Sequence, residues 1–116
     1  EKAFAKFCGG YSELKGGHAM WAMQVITGDH VFRLEFDEDK NHWARWDIEY
    51  REAKSLNPKK DWLLKDSKER FDHERIWSLL EEYDKHDALI TASVSNRKEH
   101  INEELGIVEG HTYTIK

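Results

Sequence analysis

The sequence predicts an α+β fold in which short N-terminal helices precede an antiparallel sheet with one packed helix. Three observations predict it. An apolar, helix-like beginning is interrupted twice by glycine pairs, Gly9-Gly10 and Gly16-Gly17. The run from residue 30 to 50 then changes to β-favouring residues interleaved with polar ones. Finally, Ile76, Leu79, Leu80 and Tyr83 fall at i, i+3, i+4 and i+7, the spacing of one helix face.

Taken in order, Ala3, Phe4 and Phe7 form an apolar stripe that Gly9-Gly10 ends. Tyr11 to Leu14 supplies one more turn before Gly16-Gly17, and both glycine pairs imply sharp turns or close backbone approach. Ala19, Met20, Trp21, Met23, Val25 and Ile26 predict a second short helix closed by Thr27-Gly28-Asp29. Val31, Leu34 and Phe36, then Trp43, Trp46, Ile48 and Tyr50, predict a hairpin across the polar turn Asp37 to Asn41. Residues 51 to 72 are charge-rich, hold the only proline, Pro58, and read as a surface excursion pinned by Trp62.

The clearest helix spans 73 to 86. Asp72 is a suitable N-cap, Glu74 falls in the first turn, and Lys85 and His86 in the last, all favourable to the helix dipole. Ser67 is a candidate cap for an earlier start. Residues 88 to 94 read as a buried strand, 96 to 104 as a polar connection, and 107 to 115 as the last strand, anchored by Val108, Tyr113 and Ile115.

At 116 residues the chain has the length of one domain, and five Trp, five Phe and four Tyr supply bulky core material. A core of this size should bury roughly 65% of the unfolded surface. With 18 Lys+Arg and 23 Asp+Glu the net charge is −5, which argues against a nucleic-acid partner. No apolar run reaches the ~18 residues of a transmembrane segment, and no signal peptide opens the chain. One cysteine makes no internal disulfide, so a cytoplasmic location is expected. The first residue is Glu1, and the chain reads as a piece of something longer.

Several residues are candidates for chemistry. His111, within Gly110-His111-Thr112-Tyr113, is a candidate proton carrier because imidazole titrates near neutrality, although strand histidines are usually structural. Cys8 is a candidate nucleophile, but Lys6-Phe7-Cys8-Gly9-Gly10 carries no nucleophile signature, and buried free cysteines are common. The seven histidines, 18, 30, 42, 73, 86, 100 and 111, show no metal-ligand spacing. Asp37-Glu38-Asp39 has oxygens for calcium but lacks the loop pattern that cation needs, and reads as a solvated turn. Gly16-Gly17 would admit a peptide backbone, or simply turn the chain.

The ordered combination is more specific than any single piece. Glu1-Lys2-Ala3-Phe4-Ala5-Lys6, Gly9-Gly10-Tyr11-Ser12-Glu13-Leu14-Lys15-Gly16-Gly17, the Thr27-Gly28 turn and Gly106-Ile107-Val108-Glu109-Gly110-His111-Thr112-Tyr113-Thr114-Ile115 follow one another along the chain. This resembles the protease core of the calpain family, with its EKAYAKLxGSYEALxGG, TGG and GLVKGHAYSV segments. The likeness is strong over roughly the first and the last 28 residues, and residues 38 to 70 look like an insertion.

The resemblance implies a papain-like, calcium-regulated cysteine endopeptidase core. Residues 1–28 would be the end of its helical half, 29–72 a hairpin and insertion, and 73–116 the start of its β-rich half. His111 matches the family's general base, and Gly17 and Gly110 match glycines that meet the substrate backbone. The family's nucleophilic cysteine, in a Cys-Trp context, precedes the first matched segment, and its orienting asparagine follows the histidine strand. One member of the Cys-His-Asn triad is therefore expected here, and the chain alone is expected to be inactive. Calcium would belong to the parent protein, with none bound in this segment, and polypeptide substrates would be met through the parent. The alternatives are a non-catalytic, pseudoprotease-like module that binds partner proteins or lipids, and an unrelated small domain with a chance likeness.

Overall fold

Glycine pairs stop the first helix where the sequence predicts. In the structure, a computed structural model describing residues 1–50, 61–94, 101–102, 106–108 and 110–115, helix α1 spans Lys2–Cys8. Gly9 N–H donates to the Lys6 carbonyl at 3.2 Å and Gly10 N–H to the Ala5 carbonyl at 2.8 Å. This paired ending satisfies carbonyls that the last helical turn would leave open. A 3₁₀ turn at Tyr11–Leu14 follows. Helix α2 spans Ala19–Thr27 and ends on Gly28, whose N–H reaches the Gln24 carbonyl at 2.8 Å.

The buried face of α1 differs from the expected stripe. Ala5 and Cys8 are buried, while Phe7 stays 46% exposed. Phe4 and Phe7 lie against Trp21 of α2, at centroid distances of 6.0 and 6.2 Å. Trp21, only 3% exposed, is the centre of this helical cluster. The small residues allow close packing of the backbone, while the phenyl rings cover the indole from outside.

The predicted hairpin forms. Strand β1 (Phe32–Asp37) pairs antiparallel with β2 (His42–Tyr50), from Phe32↔Asp47 to Asp37↔His42. The surface excursion is overturned for residues 62 to 71, which form β3 (Trp62–Phe71), the third strand of the sheet in the order β1-β2-β3. Ser67 accordingly lies in a strand and caps no helix: its hydroxyl donates to the Arg45 carbonyl at 3.0 Å. Residues 51 to 60, with Pro58, lie outside the described residues.

The register of β3 shifts between Ala44↔Arg70 and Trp46↔Asp66. Lys68, at φ 69°, accommodates the extra residues on β3. The Arg70 guanidinium grips both Asp66 oxygens, at 2.8 and 2.7 Å, and the Lys68 N–H donates to Asp66 Oδ1 at 2.8 Å. Charges that suggested a loop are thus used across an edge strand: Arg45 pairs with Glu69 at 3.1 Å and Lys65 with Glu49 at 3.0 Å. At the other end of the sheet, Trp43 Nε1 donates to His73 Nδ1 at 3.2 Å and Phe36 packs on the His73 ring at 5.0 Å.

Two compact units result, Glu1–His73 and Glu74–Lys116. In the second, α3 (His73–Lys85, its first residue assigned to the first unit) buries Ile76. Helix α3 ends at Lys85, and His86 opens the turn beyond it. Asp87 takes φ 55° there, and the Ala88 N–H returns to the Tyr83 carbonyl at 3.0 Å. Strand β4 (Ile90–Ser93) is half-buried at Ile90 and Thr91 and exposed at Ala92 and Ser93, so the expected buried strand is only partly covered. It pairs antiparallel with β7 (Thr112–Ile115). The expected final strand 107–115 is divided, because β6 (Ile107–Val108) pairs instead with β5 (Ile101–Asn102). The described strands thus form three antiparallel sheets built from four ladders, which with the helices make the expected α+β fold. No helix of the described residues is long and apolar enough to cross a membrane.

Candidate active site

Gly110 divides β6 from β7 because it turns the chain in the left-handed region, at φ 77°. A side chain there would meet open space, so strain in the backbone, not a clash, is what favours glycine. The Gly110 N–H donates to the Val94 carbonyl at 2.8 Å, just beyond the last ladder pair, Ser93↔Thr112. His111 lies between these two tethers. Its own N–H points to the Val108 carbonyl at 3.4 Å.

The His111 side chain is exposed. Its ring meets that of Tyr113 edge to face, with centroids 4.9 Å apart and planes at 78°. The far end of Tyr113 is fixed too, because the Val108 N–H donates to its hydroxyl at 2.8 Å. The backbone around His111 is therefore held and the imidazole remains accessible, as a group that exchanges protons with a bound molecule requires.

Gly17 belongs to the first unit. It takes φ 154° and, with Gly16, lines a recess of about 160 Å³ shared with Phe4, Leu14 and Trp21. Bare backbone at an apolar recess can approach an extended peptide closely. Cys8 borders the same recess but is 0% exposed. It closes α1, whereas reactive thiols favour helix beginnings. A nucleophile must reach its carbonyl, and Cys8 is covered.

Others among the described histidines have local partners. The His18 ring meets Trp62 edge-on at 5.4 Å, His30 Nε2 lies 3.2 Å from Asp47, and His73 accepts from Trp43. His100 lies outside the described residues. Among the described residues no three His, Cys, Asp or Glu side chains come together as a metal site. For Asp37, partial desolvation pushes its carboxyl up, but the Lys40 backbone N–H and ammonium outweigh this and hold it below its usual value. That carboxylate is committed to Lys40 in the turn. The Asp66 carboxyl is held well below the usual carboxylate range by the Arg70 guanidinium first and the Lys68 N–H second. These carboxylates are structural.

Over residues 1–116, the whole chain, the sequence matches the family model described as calpain family cysteine protease. The segment is thus part of a cysteine-protease domain. The chain belongs to the calpain family. Neither the curated proteins nor the solved structures provide a match to it.

Sequence reasoning picked out His111, Gly110 and Gly17, and missed the part played by Tyr113 and Val108 around the imidazole. The signal for Tyr113 was its spacing: two residues after His111 in an extended run, it falls on the same side. Nothing in the sequence marked the Val108 amide, since a backbone donor carries no residue signature.

Proposed function

We propose that this chain is the histidine-bearing part of a papain-like, calpain-type cysteine endopeptidase core, and that His111 is its general base and acid. The observation that carries the reading is the family match over residues 1–116, which includes an exposed histidine directly after Gly110. Residues 1–28 would close the helical half, 29–72 would be the hairpin and insertion, and 73–116 would open the β-rich half. Gly17 and Gly110 would offer backbone groups to an extended polypeptide.

The chemistry follows from the residue types. A cysteine of the parent protein other than Cys8 gives its proton to His111, and the thiolate attacks the peptide carbonyl. His111 returns the proton to the leaving amine, and water then releases the acyl group with His111 as base. A histidine without its thiol performs no acyl transfer, so the chain alone is inactive. The free Cys8 fits a reducing, cytoplasmic setting.

Among the described residues no three Asp, Glu, His or Cys side chains gather where a cation could sit. We assign any regulatory calcium of the parent to residues outside this segment and route no step through it. Titrating the chain with millimolar calcium should leave its melting temperature unchanged, and a calcium-dependent rise contradicts that assignment.

The test of the main reading is peptide turnover. The parent protein should cleave a polypeptide in a thiol-dependent reaction that His111→Ala abolishes, and the 116-residue chain should show none. Thiol-dependent turnover by the chain, lost in His111→Ala, would overturn its assignment as inactive. A parent without turnover would favour the pseudoprotease reading.

A further inference from the structure

We propose that Tyr113 is the positioning residue for His111, an inference that rests on the peptidase reading for its catalytic consequence. An exposed histidine samples several rotamers, and a general base is effective only in those that aim its nitrogen at the thiol and the leaving group. Among the described residues, the Tyr113 ring is the one aromatic wall against this imidazole, edge to face at 4.9 Å. A wall orients only if it is fixed itself. Tyr113 is held twice: its backbone is in the ladder opposite Ala92, and its hydroxyl accepts the Val108 N–H at 2.8 Å.

The same residue references the other side of the pair. The Val108 carbonyl faces the His111 N–H at 3.4 Å, so one residue next to the Gly110 turn meets His111 through its carbonyl and the Tyr113 hydroxyl through its N–H. Val108, His111 and Tyr113 thereby form a closed frame around the turn. The hydroxyl sets the ring, and the ring restricts the imidazole. Tyr113 touches neither substrate nor reacting atoms in this proposal.

Two readouts test it. In the 116-residue chain, proton NMR should show contacts between the Tyr113 ring and the His111 imidazole, with resonances assigned through His111→Ala. Those contacts should weaken in Tyr113→Phe, which keeps the ring and loses the hydroxyl. The imidazole resonances of Tyr113→Leu should move toward those of an unrestricted histidine. In the parent protease, Tyr113→Leu should lower kcat roughly three- to tenfold with KM unchanged, and Tyr113→Phe should recover part of the loss.

Full ring-to-imidazole contacts in Tyr113→Phe remove the hydroxyl from the argument and overturn the frame. An unchanged kcat in folded Tyr113→Leu overturns the positioning role. Should Tyr113→Leu fail to fold, Tyr113→Phe decides alone: weakened contacts support the proposal and intact ones contradict it. Because NMR requires no turnover, a parent that proves inactive leaves this geometric test standing and refutes only the peptidase reading.

Discussion

The three-stranded sheet and the His111 strand are built on different principles. In the sheet, strands of six, nine and ten residues are joined by two antiparallel ladders and by the cross-strand Arg45–Glu69 and Lys65–Glu49 pairs, while Arg45–Asp47 and the Asp66–Arg70 fork brace β2 and β3 from within. Among the described residues, strand β7 has four residues and one partner strand, and its own Ile115 and the nearby Val108 are each 44% exposed. A two-stranded ribbon is marginal by itself. Its order at His111 comes instead from individual bonds at Gly110, Val108 and Tyr113. The framework region draws its stability from many lateral contacts, while the proposed catalytic position depends on a few directed ones, so the two should respond differently to substitution.

The largest effect expected is functional and confined to the His111 strand. His111→Ala should reduce turnover by the parent protease at least about a thousandfold. It should change the unfolding free energy of the chain by less than about 0.5 kcal/mol, because the side chain is exposed. Turnover and a thermal melt on the same variant check both halves, and a large loss of stability would erase the contrast.

Next comes the helical cluster of the first unit. Trp21→Ala removes the indole between Phe4 and Phe7 and should cost about 3–5 kcal/mol, read from the urea midpoint. A loss under about 1 kcal/mol would mean that this cluster does not hold the unit together.

Acid should separate the regions further. The Asp66 carboxyl has a lowered folded-state pKa, so its contribution is full above the unfolded value near 4 and is lost as pH falls below it. Melting temperature should therefore drop between about pH 4 and pH 2 more steeply in the wild type than in Asp66→Asn. Parallel curves would show that the fork carries no pH dependence. The smallest effect is at the end of α3, where Asp87 holds φ 55°. Asp87→Gly should raise stability by about 0.5 kcal/mol in a urea titration, and a decrease would point to a specific role for its carboxylate.

What the sequence made legible follows the same division. Helix endings were readable because Gly9 and Gly28 are the residues that left-handed caps favour. The hairpin was readable because Val31, Leu34 and Phe36 precede a polar turn. Strand β3 was not, because Lys65 to Arg70 offers no apolar alternation, and Lys65 and Glu69 find their partners Glu49 and Arg45 on a neighbouring strand that local pattern cannot reveal. The face of α1 was misread for a related reason: Ala5 and Cys8 are buried through close backbone packing, which larger apolar neighbours obscure in a periodicity count. His111 stood out as a candidate only through its motif, since an exposed histidine beside a short strand is otherwise ordinary.

The most direct test of the central claim is labelling of the parent protease with a thiol-directed peptide inhibitor, followed by mass-spectrometric location of the label. The account predicts label on a cysteine other than Cys8, at a rate that collapses in His111→Ala. Label on Cys8, or labelling indifferent to His111, would contradict it.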